Sequence, residues 1–85
     1  MLKAILVDDE KSACDALKTF IESYFSTQMQ VVGIAHNCLD VVPLINQFHP
    51  DVVFLDISMP QGTVFDLFNF FFLVNLSLIV ILNIL

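Results

Sequence analysis

The sequence predicts an α/β domain built on a parallel sheet, and three observations indicate it. Short, wholly apolar runs alternate with amphipathic helical segments, so residues 1–56 follow the order β-α-β-α-β. Wholly apolar strands are typical of a parallel sheet that helices cover on both faces. The chain has 85 residues, which is enough for one small domain.

The first strand is predicted over Lys3–Val7, which ends on Asp8 and Asp9. The segment "KSACDALKTFIESYF" then places apolar residues at helical spacings of three and four, and we expect one face to carry Ala13, Leu17, Phe20, Ile21 and Tyr24. A second strand, "QVVGIA", follows over Gln30–Ala35.

A second helix is predicted to start at Asn37, because Asp40 three positions later resembles a capping box. Its apolar positions are Val41, Leu44, Ile45 and Phe48. Pro43 removes a backbone donor, so this helix should be short, late-starting or kinked. His49-Pro50 ends it, and a third strand covers Val52–Leu55.

Charge and composition exclude several classes of function. The formal net charge is −6, which argues against nucleic-acid binding through a basic surface. Cys14 and Cys38 lack metal-ligand spacing and are interpreted as buried apolar residues of a reducing, cytoplasmic protein. His36 and His49 are isolated and are predicted to be structural or exposed. The apolar run "AILV" is too short for a signal peptide.

Acidic residues end two of the predicted strands. If the first and third strands are neighbours, Asp8, Asp9 and Asp56 meet at the carboxyl edge of the sheet, where sites form in open α/β folds. Three adjacent carboxylates repel unless a cation lies among them. Mg²⁺ suits such oxygen ligands, so the spacing predicts a magnesium site.

The motifs "ILVDDE" and, about fifty residues on, "VVFLDISMP" together resemble the receiver domain of bacterial two-component response regulators. The resemblance covers residues 2–68. It implies a flavodoxin-like, doubly wound parallel sheet, of which this chain holds about three to four of five βα units. The early segments are also similar to regulators with a LytTR-type DNA-binding output domain, which is absent from these 85 residues.

The resemblance implies specific roles for four residues. Asp56 would accept a phosphoryl group from a sensor histidine kinase or from a small acyl phosphate. Asp9 would bind Mg²⁺ directly, Asp8 directly or through water, and Ser58 through its backbone carbonyl. The implied function is phosphorelay signalling by a cytoplasmic, phosphoryl-accepting domain that is not a turnover enzyme.

The sequence departs from the receiver pattern after residue 60. Val64 stands where the family usually has glycine. A fourth strand at Leu78–Leu82 would be followed by Asn83 instead of a Ser or Thr, and no later strand supplies the family's Lys. We therefore expect residues 1–68 to be the N-terminal part of a receiver domain in a truncated, impaired copy.

Residues 69–85 form an apolar tail, and no charged residue follows Asp66. Three interpretations stay open for the segment from residue 67 onward: a membrane-associated segment, a native third helix and fourth strand, or out-of-frame sequence. Composition favours the third, because five of the nine Phe residues lie within residues 65–72 and AT-rich codons favour Phe, Ile, Leu and Asn. The alternative function is a degenerate fragment without phosphotransfer activity, or one that associates with a membrane through residues 67–85.

Overall fold

The computed structural model describes residues 1–56 and 78–82, with side chains for residues 1–37 and 39–55. Four strands and two helices occupy these ranges. In chain order they are β1 (Leu2–Val7), α1 (Lys11–Tyr24), β2 (Met29–Ala35), α2 (Cys38–Phe48), β3 (Val52–Asp56) and β4 (Leu78–Leu82).

The strands form a single parallel sheet in the order β2-β1-β3-β4. The chain therefore winds from β1 outward to β2, and then reverses to β3 and β4 on the other side. This reversal confirms the prediction of a doubly wound parallel sheet, and it confirms that the first and third strands are neighbours.

The core lies on β1 and β3, because strands in the middle of a doubly wound sheet are covered on both faces. Consecutive residues from Ala4 to Val7 are at most 2% exposed. On one face Leu6 packs with Cys14 and Ile21 of α1. On the other face Gly33 lets α2 approach closely, since a Cβ at this position would lie 3.2 Å from Leu44 Cδ1.

The predicted apolar face of α1 is only partly buried. Cys14 and Ile21 are 2% and 3% exposed, whereas Phe20 and Tyr24 are 51% and 71% exposed. Phe20 instead contacts the rings of Tyr24 and Phe25, with centroids 5.0 and 5.8 Å away. Spacing alone therefore placed the centre of the buried face wrongly, because Cys14 lies nearer to it than Phe20.

The second helix differs from its prediction at Pro43. It begins directly after Asn37 and runs through the proline to Phe48, so the expectation of a late start is wrong. A proline inside a helix costs roughly 3 kcal/mol. Burying Val41 and Ile45, at 0% and 4% exposure, contributes about 1.5–3 kcal/mol each and offsets this cost. His49 ends the helix with a φ of 48°, as predicted from His49-Pro50.

The fourth strand lies beside β3, with Val52 opposite Leu78 and Asp56 opposite Leu82. The interpretation of the segment from residue 67 onward as out-of-frame sequence stays a prediction. The third helix that one interpretation places in the segment from residue 67 onward lies outside the described residues. Within residues 1–56 and 78–82, neither helix has the length and apolar character needed to cross a membrane.

Candidate functional site

The register between β1 and β3 brings two predicted site residues to the same edge. Val7 is paired with Leu55 in this parallel pair, and each is followed directly by an aspartate, Asp8 or Asp56. The backbones of these two aspartates therefore lie side by side at the carboxyl ends of adjacent strands. This is the edge where the winding direction reverses and where open α/β sheets form their sites.

Asp8 is buried, at 9% exposure, and hydrogen bonds hold its backbone and its carboxylate. Its amide donates to the Ala35 carbonyl at 3.1 Å, which extends the pairing with β2 beyond the end of β1. Its Oδ1 accepts from the Glu10 amide at 3.0 Å. A short side chain that accepts from the amide two residues later closes a tight local turn, so the Asp8 carboxylate has a defined direction.

The carbonyl of Asp8 accepts from two side chains that come from different elements. His36, which directly follows β2, places Nδ1 3.0 Å from this oxygen. Cys14 of α1 places Sγ 3.7 Å from it. Because a carbonyl can only accept, the His36 bond requires the proton on Nδ1. The end of β1 is thereby tied to β2 and to α1 at a single atom.

Cys14 is a buried thiol beside the acidic edge. Burial raises the pKa of the Cys14 thiol, and the negative charges of Asp8 and Asp15 raise it further. It lines a cleft of about 490 Å³ between α1 and the sheet, together with Leu6, Leu17 and Phe54. A protonated thiol is a poor nucleophile and a poor metal ligand, which agrees with the prediction of a buried apolar role.

The other predicted ligands are described only in part. Asp9 is exposed, which suits a residue that must reach a cation or a substrate. The backbone of Asp56 ends β3, its side chain lies outside the described residues, and Ser58 lies outside them entirely. Among the described side chains, no group of three or more His, Cys, Asp or Glu residues could hold a metal ion. The predicted magnesium set therefore stays a prediction.

Sequence reasoning missed the contact between His36 and the site. Nothing near His36 in the sequence has ligand spacing, so the sequence predicts only a structural or exposed side chain, and His36 is indeed exposed. A usable signal was present, however: His36 directly follows the second strand, just as Asp8 directly follows the first. In a parallel sheet with these two strands adjacent, residues that follow strand ends meet at one edge.

The structure is a doubly wound α/β domain in which Asp8 and Asp56 end adjacent strands at the carboxyl edge of the sheet. Comparison with known proteins assigns its family. The family profile described as the response regulator receiver domain matches residues 4–71. The chain belongs to the response regulator receiver domain family. This match confirms the resemblance to receiver domains that the sequence motifs indicate. Receiver domains are signalling domains of two-component systems.

Relatives and solved structures agree with this assignment. The chain is 48% identical over 61 residues to an uncharacterized response regulatory protein of Vibrio cholerae. It is 34% identical over 61 residues to the transcriptional regulatory protein BtsR of Escherichia coli. Each match covers 72% of this chain and 25% of the relative, so the chain spans about a quarter of the length of these curated relatives.

Among solved structures, the response regulator domain of Thermotoga maritima CheB superposes with a TM-score of 0.82 at 26% identity. That match covers 95% of this chain and 59% of the other. RcsB from Salmonella enterica, solved bound to promoter rprA, gives a TM-score of 0.80 at 20% identity and covers 95% of this chain and 68% of the other. This second likeness supports the fold alone. The LytTR-type output domain stays a prediction.

Proposed function

We propose that this domain accepts a phosphoryl group on Asp56 and thereby takes part in phosphorelay signalling. The observation that carries the proposal is the register of β1 and β3, with Val7 opposite Leu55. It sets the backbone of Asp56, at the end of the central strand β3, level with Asp8. Membership of the receiver family supports the same role for the aspartate that ends this strand.

The proposed reaction transfers one phosphoryl group between two side chains. A carboxylate oxygen of Asp56 attacks phosphorus, a new O–P bond forms, and the P–N bond of the donor phosphohistidine breaks. The products are an aspartyl phosphate and the free histidine of the donor. With a small acyl phosphate as donor, a P–O bond breaks instead and a carboxylate leaves. The domain is thus modified once per transfer and is not a turnover enzyme.

Mg²⁺ is the proposed cofactor, held by the carboxylates of Asp8, Asp9 and Asp56 and the backbone carbonyl of Ser58. The donor chemistry fits, since all four would supply the oxygen ligands that Mg²⁺ prefers. When bound, the ion offsets negative charge on the phosphoryl oxygens. The chain's own part is to position the acids: the Asp8 carboxylate is directed by the Glu10 amide, and Asp9 lies exposed beside it.

The proposed partner is a sensor histidine kinase, and the proposed location is the cytoplasm, where such kinases present their phosphohistidine. Direct contact with nucleic acid is not proposed for this domain, because the chain carries a net charge of −6. BtsR is described as a transcriptional regulatory protein, and this chain matches 25% of it. Any output activity would therefore reside in other parts of such a protein.

The test is phosphorylation of the purified 85-residue chain by acetyl phosphate with Mg²⁺, followed by intact mass spectrometry. We expect one phosphoryl adduct, absent from Asp56→Asn and absent when EDTA removes the metal. Asp51→Asn is the matched control and should keep the adduct. It also neutralises one aspartate, but Asp51 lies at the opposite end of β3 from Asp56. A folded wild-type chain that takes no adduct, or an Asp56→Asn chain that does, would overturn the proposal.

A further inference from the structure

We propose that His36 is a positioning residue for the magnesium site, because it fixes the peptide group that joins Asp8 to Asp9. The inference rests on the proposed function and adds to it a residue from outside the acidic set. It starts from one contact, the 3.0 Å approach of His36 Nδ1 to the Asp8 carbonyl oxygen.

The Asp8 carbonyl belongs to the same planar peptide unit as the Asp9 amide. Fixing the direction of this oxygen fixes the rotation of the plane, which is set by ψ of Asp8 and φ of Asp9. Those two angles set where the Asp9 Cα and Cβ atoms lie relative to Asp8, and so the region that the Asp9 carboxylate can reach. A donor on this carbonyl therefore acts on the spacing of two proposed ligands without touching either carboxylate.

The rest of Asp8 is already fixed from other directions. Its amide donates to Ala35, and its Oδ1 accepts from Glu10. The contacts to the Asp8 carbonyl oxygen control the orientation of the peptide plane that joins Asp8 to Asp9. Adjacent carboxylates repel when no cation lies between them, and this repulsion favours rotation of the plane. A directional hydrogen bond on the carbonyl opposes that rotation before metal arrives.

Among the described side chains, Cys14 and His36 reach this carbonyl, and His36 is the stronger donor of the two. Its N–H lies at an ordinary hydrogen-bond distance of 3.0 Å, whereas the Cys14 thiol lies at 3.7 Å and is a weak donor. His36 also directly follows β2, the neighbour of β1 on the side away from β3 and Asp56. Its hydrogen bond therefore holds the peptide group between Asp8 and Asp9 from the side opposite Asp56, the proposed phosphoacceptor.

The chemistry of the contact supplies a sharp pair of variants. In His36→Asn, the amide nitrogen occupies about the position of Nδ1 and keeps a donor within reach of the carbonyl. In His36→Gln, the amide nitrogen lies about one bond further out, near the position of Nε2, and the short contact is lost. Both variants are polar, uncharged amides, so they differ mainly in where the donor lies.

The experiment measures Mg²⁺ binding to the full chain by calorimetry, with Mg²⁺ alone and no phosphoryl donor. We expect His36→Gln and His36→Leu to raise the Kd for Mg²⁺ about tenfold, the lower end of the effect of losing a residue that orients a metal ligand. His36→Asn should keep the Kd within about threefold of the wild-type value. His49→Asn, at the helix end where Asn tolerates a positive φ, is the matched control and should leave the Kd unchanged.

A purely structural role predicts something different. It would lower the urea midpoint of His36→Gln equally with and without Mg²⁺, whereas a positioning role makes Mg²⁺ raise the midpoint less in this variant than in the wild type. Equal Kd values for wild type, His36→Asn and His36→Gln would overturn the inference. If His36→Leu fails to fold, the Asn and Gln pair decides.

The two proposals fail separately. A wild-type chain that takes the phosphoryl adduct, with His36→Gln binding Mg²⁺ equally well, would overturn only the role of His36. A wild-type chain that binds no Mg²⁺ would overturn the magnesium site and the role of His36 with it. A wild-type chain that binds Mg²⁺ but takes no adduct would overturn phosphoryl acceptance, while the metal-binding comparison would still decide the role of His36.

Discussion

Asp51 makes two hydrogen bonds to the backbone of Lys3, at the end of the sheet opposite the acidic edge. Its Oδ2 accepts from the Lys3 amide at 2.8 Å, and its own amide donates to the Lys3 carbonyl at 2.8 Å. These bonds start the pairing of β1 with β3, in which Ala4 lies opposite Val52. The register that sets Asp8 level with Asp56 is thus supported from its first residues.

Asp51→Ala is expected to destabilise the domain by about 0.5–1.5 kcal/mol, the usual contribution of one hydrogen bond. Asp51→Asn keeps an acceptor oxygen and should lose less than half of that. Urea unfolding followed by circular dichroism measures both. Equal losses in the two variants would show that the charge of Asp51, and not its hydrogen bond, supplies the stability.

Asn37→Ala is expected to cost about 1 kcal/mol, because Asn37 caps α2. Its Oδ1 accepts from the Asp40 amide at 2.9 Å, and its Nδ2 donates to the Asp40 carboxylate at 2.9 Å. Asn37→Ser retains a cap and should recover most of the loss. Asn46→Ala, at an exposed position of the same helix, is the control and should stay within about 0.5 kcal/mol of wild type. A similar loss at both asparagines would refute the capping role.

The pKa of Cys14, raised by burial and by Asp8 and Asp15, predicts that stability falls in alkaline solution. Above about pH 8.5, the ordinary thiol pKa, the unfolded chain releases its proton before the folded chain does. The unfolded state then binds fewer protons, so the free energy of unfolding decreases as pH rises. The stability contribution of the protonated Cys14 thiol is complete below about pH 8.5, and it is lost as the pH rises from there through the raised pKa of the folded state.

The measurement compares the urea unfolding of two chains, the single variant Cys38→Ser and the double variant Cys38→Ser with Cys14→Ala. Each is measured at about pH 7.5 and about pH 9.5, which bracket the ordinary thiol pKa. Both chains lack the second thiol, and both share every other titrating group. The chain that keeps Cys14 should lose more stability between the two values. Equal losses would mean that Cys14 does not titrate differently in the folded state.

The order of elements could be predicted from the sequence because each strand carries its own signal. Four consecutive apolar residues in Ala4–Val7 can be buried only if both sheet faces are covered, and this fixes the fold class. The convergence of Asp8 and Asp56 followed from the same reasoning. Local pattern and tertiary structure agree wherever the signal is a buried run.

The misses arose where a neighbour in space decides the outcome. The helical spacing of α1 contains both Phe20 and Ile21, and only the position of the sheet shows that Ile21 is buried at 3% while Phe20 is 51% exposed. Pro43 is tolerated because the apolar face of α2 is buried against the sheet. The His36 contact joins residues 28 positions apart, and its only signal in the sequence is that each residue directly follows a strand, which becomes informative once the two strands are known to be adjacent.

The close packing of α2 on β2 at Gly33 gives the last prediction. A Cβ added to Gly33 would lie 3.2 and 3.3 Å from the two Cδ atoms of Leu44, which is tight but involves a movable side chain. Gly33→Ala should therefore change stability by less than about 1 kcal/mol, because the gain from removing a strand glycine offsets the crowding. Gly33→Val adds two more methyl groups and should cost about 1–3 kcal/mol.

A double-mutant cycle tests whether Leu44 is the residue that is crowded. Leu44→Ala alone removes a partly buried side chain and should destabilise, yet combined with Gly33→Val it should cost about 1 kcal/mol less than the sum of the two changes. Leu39→Ala, on the same helix but at a residue that is 80% exposed, is the control and should be additive with Gly33→Val. If Leu44→Ala is additive as well, the space at Gly33 is limited by backbone and not by Leu44, and the glycine is required for the approach of α2 itself.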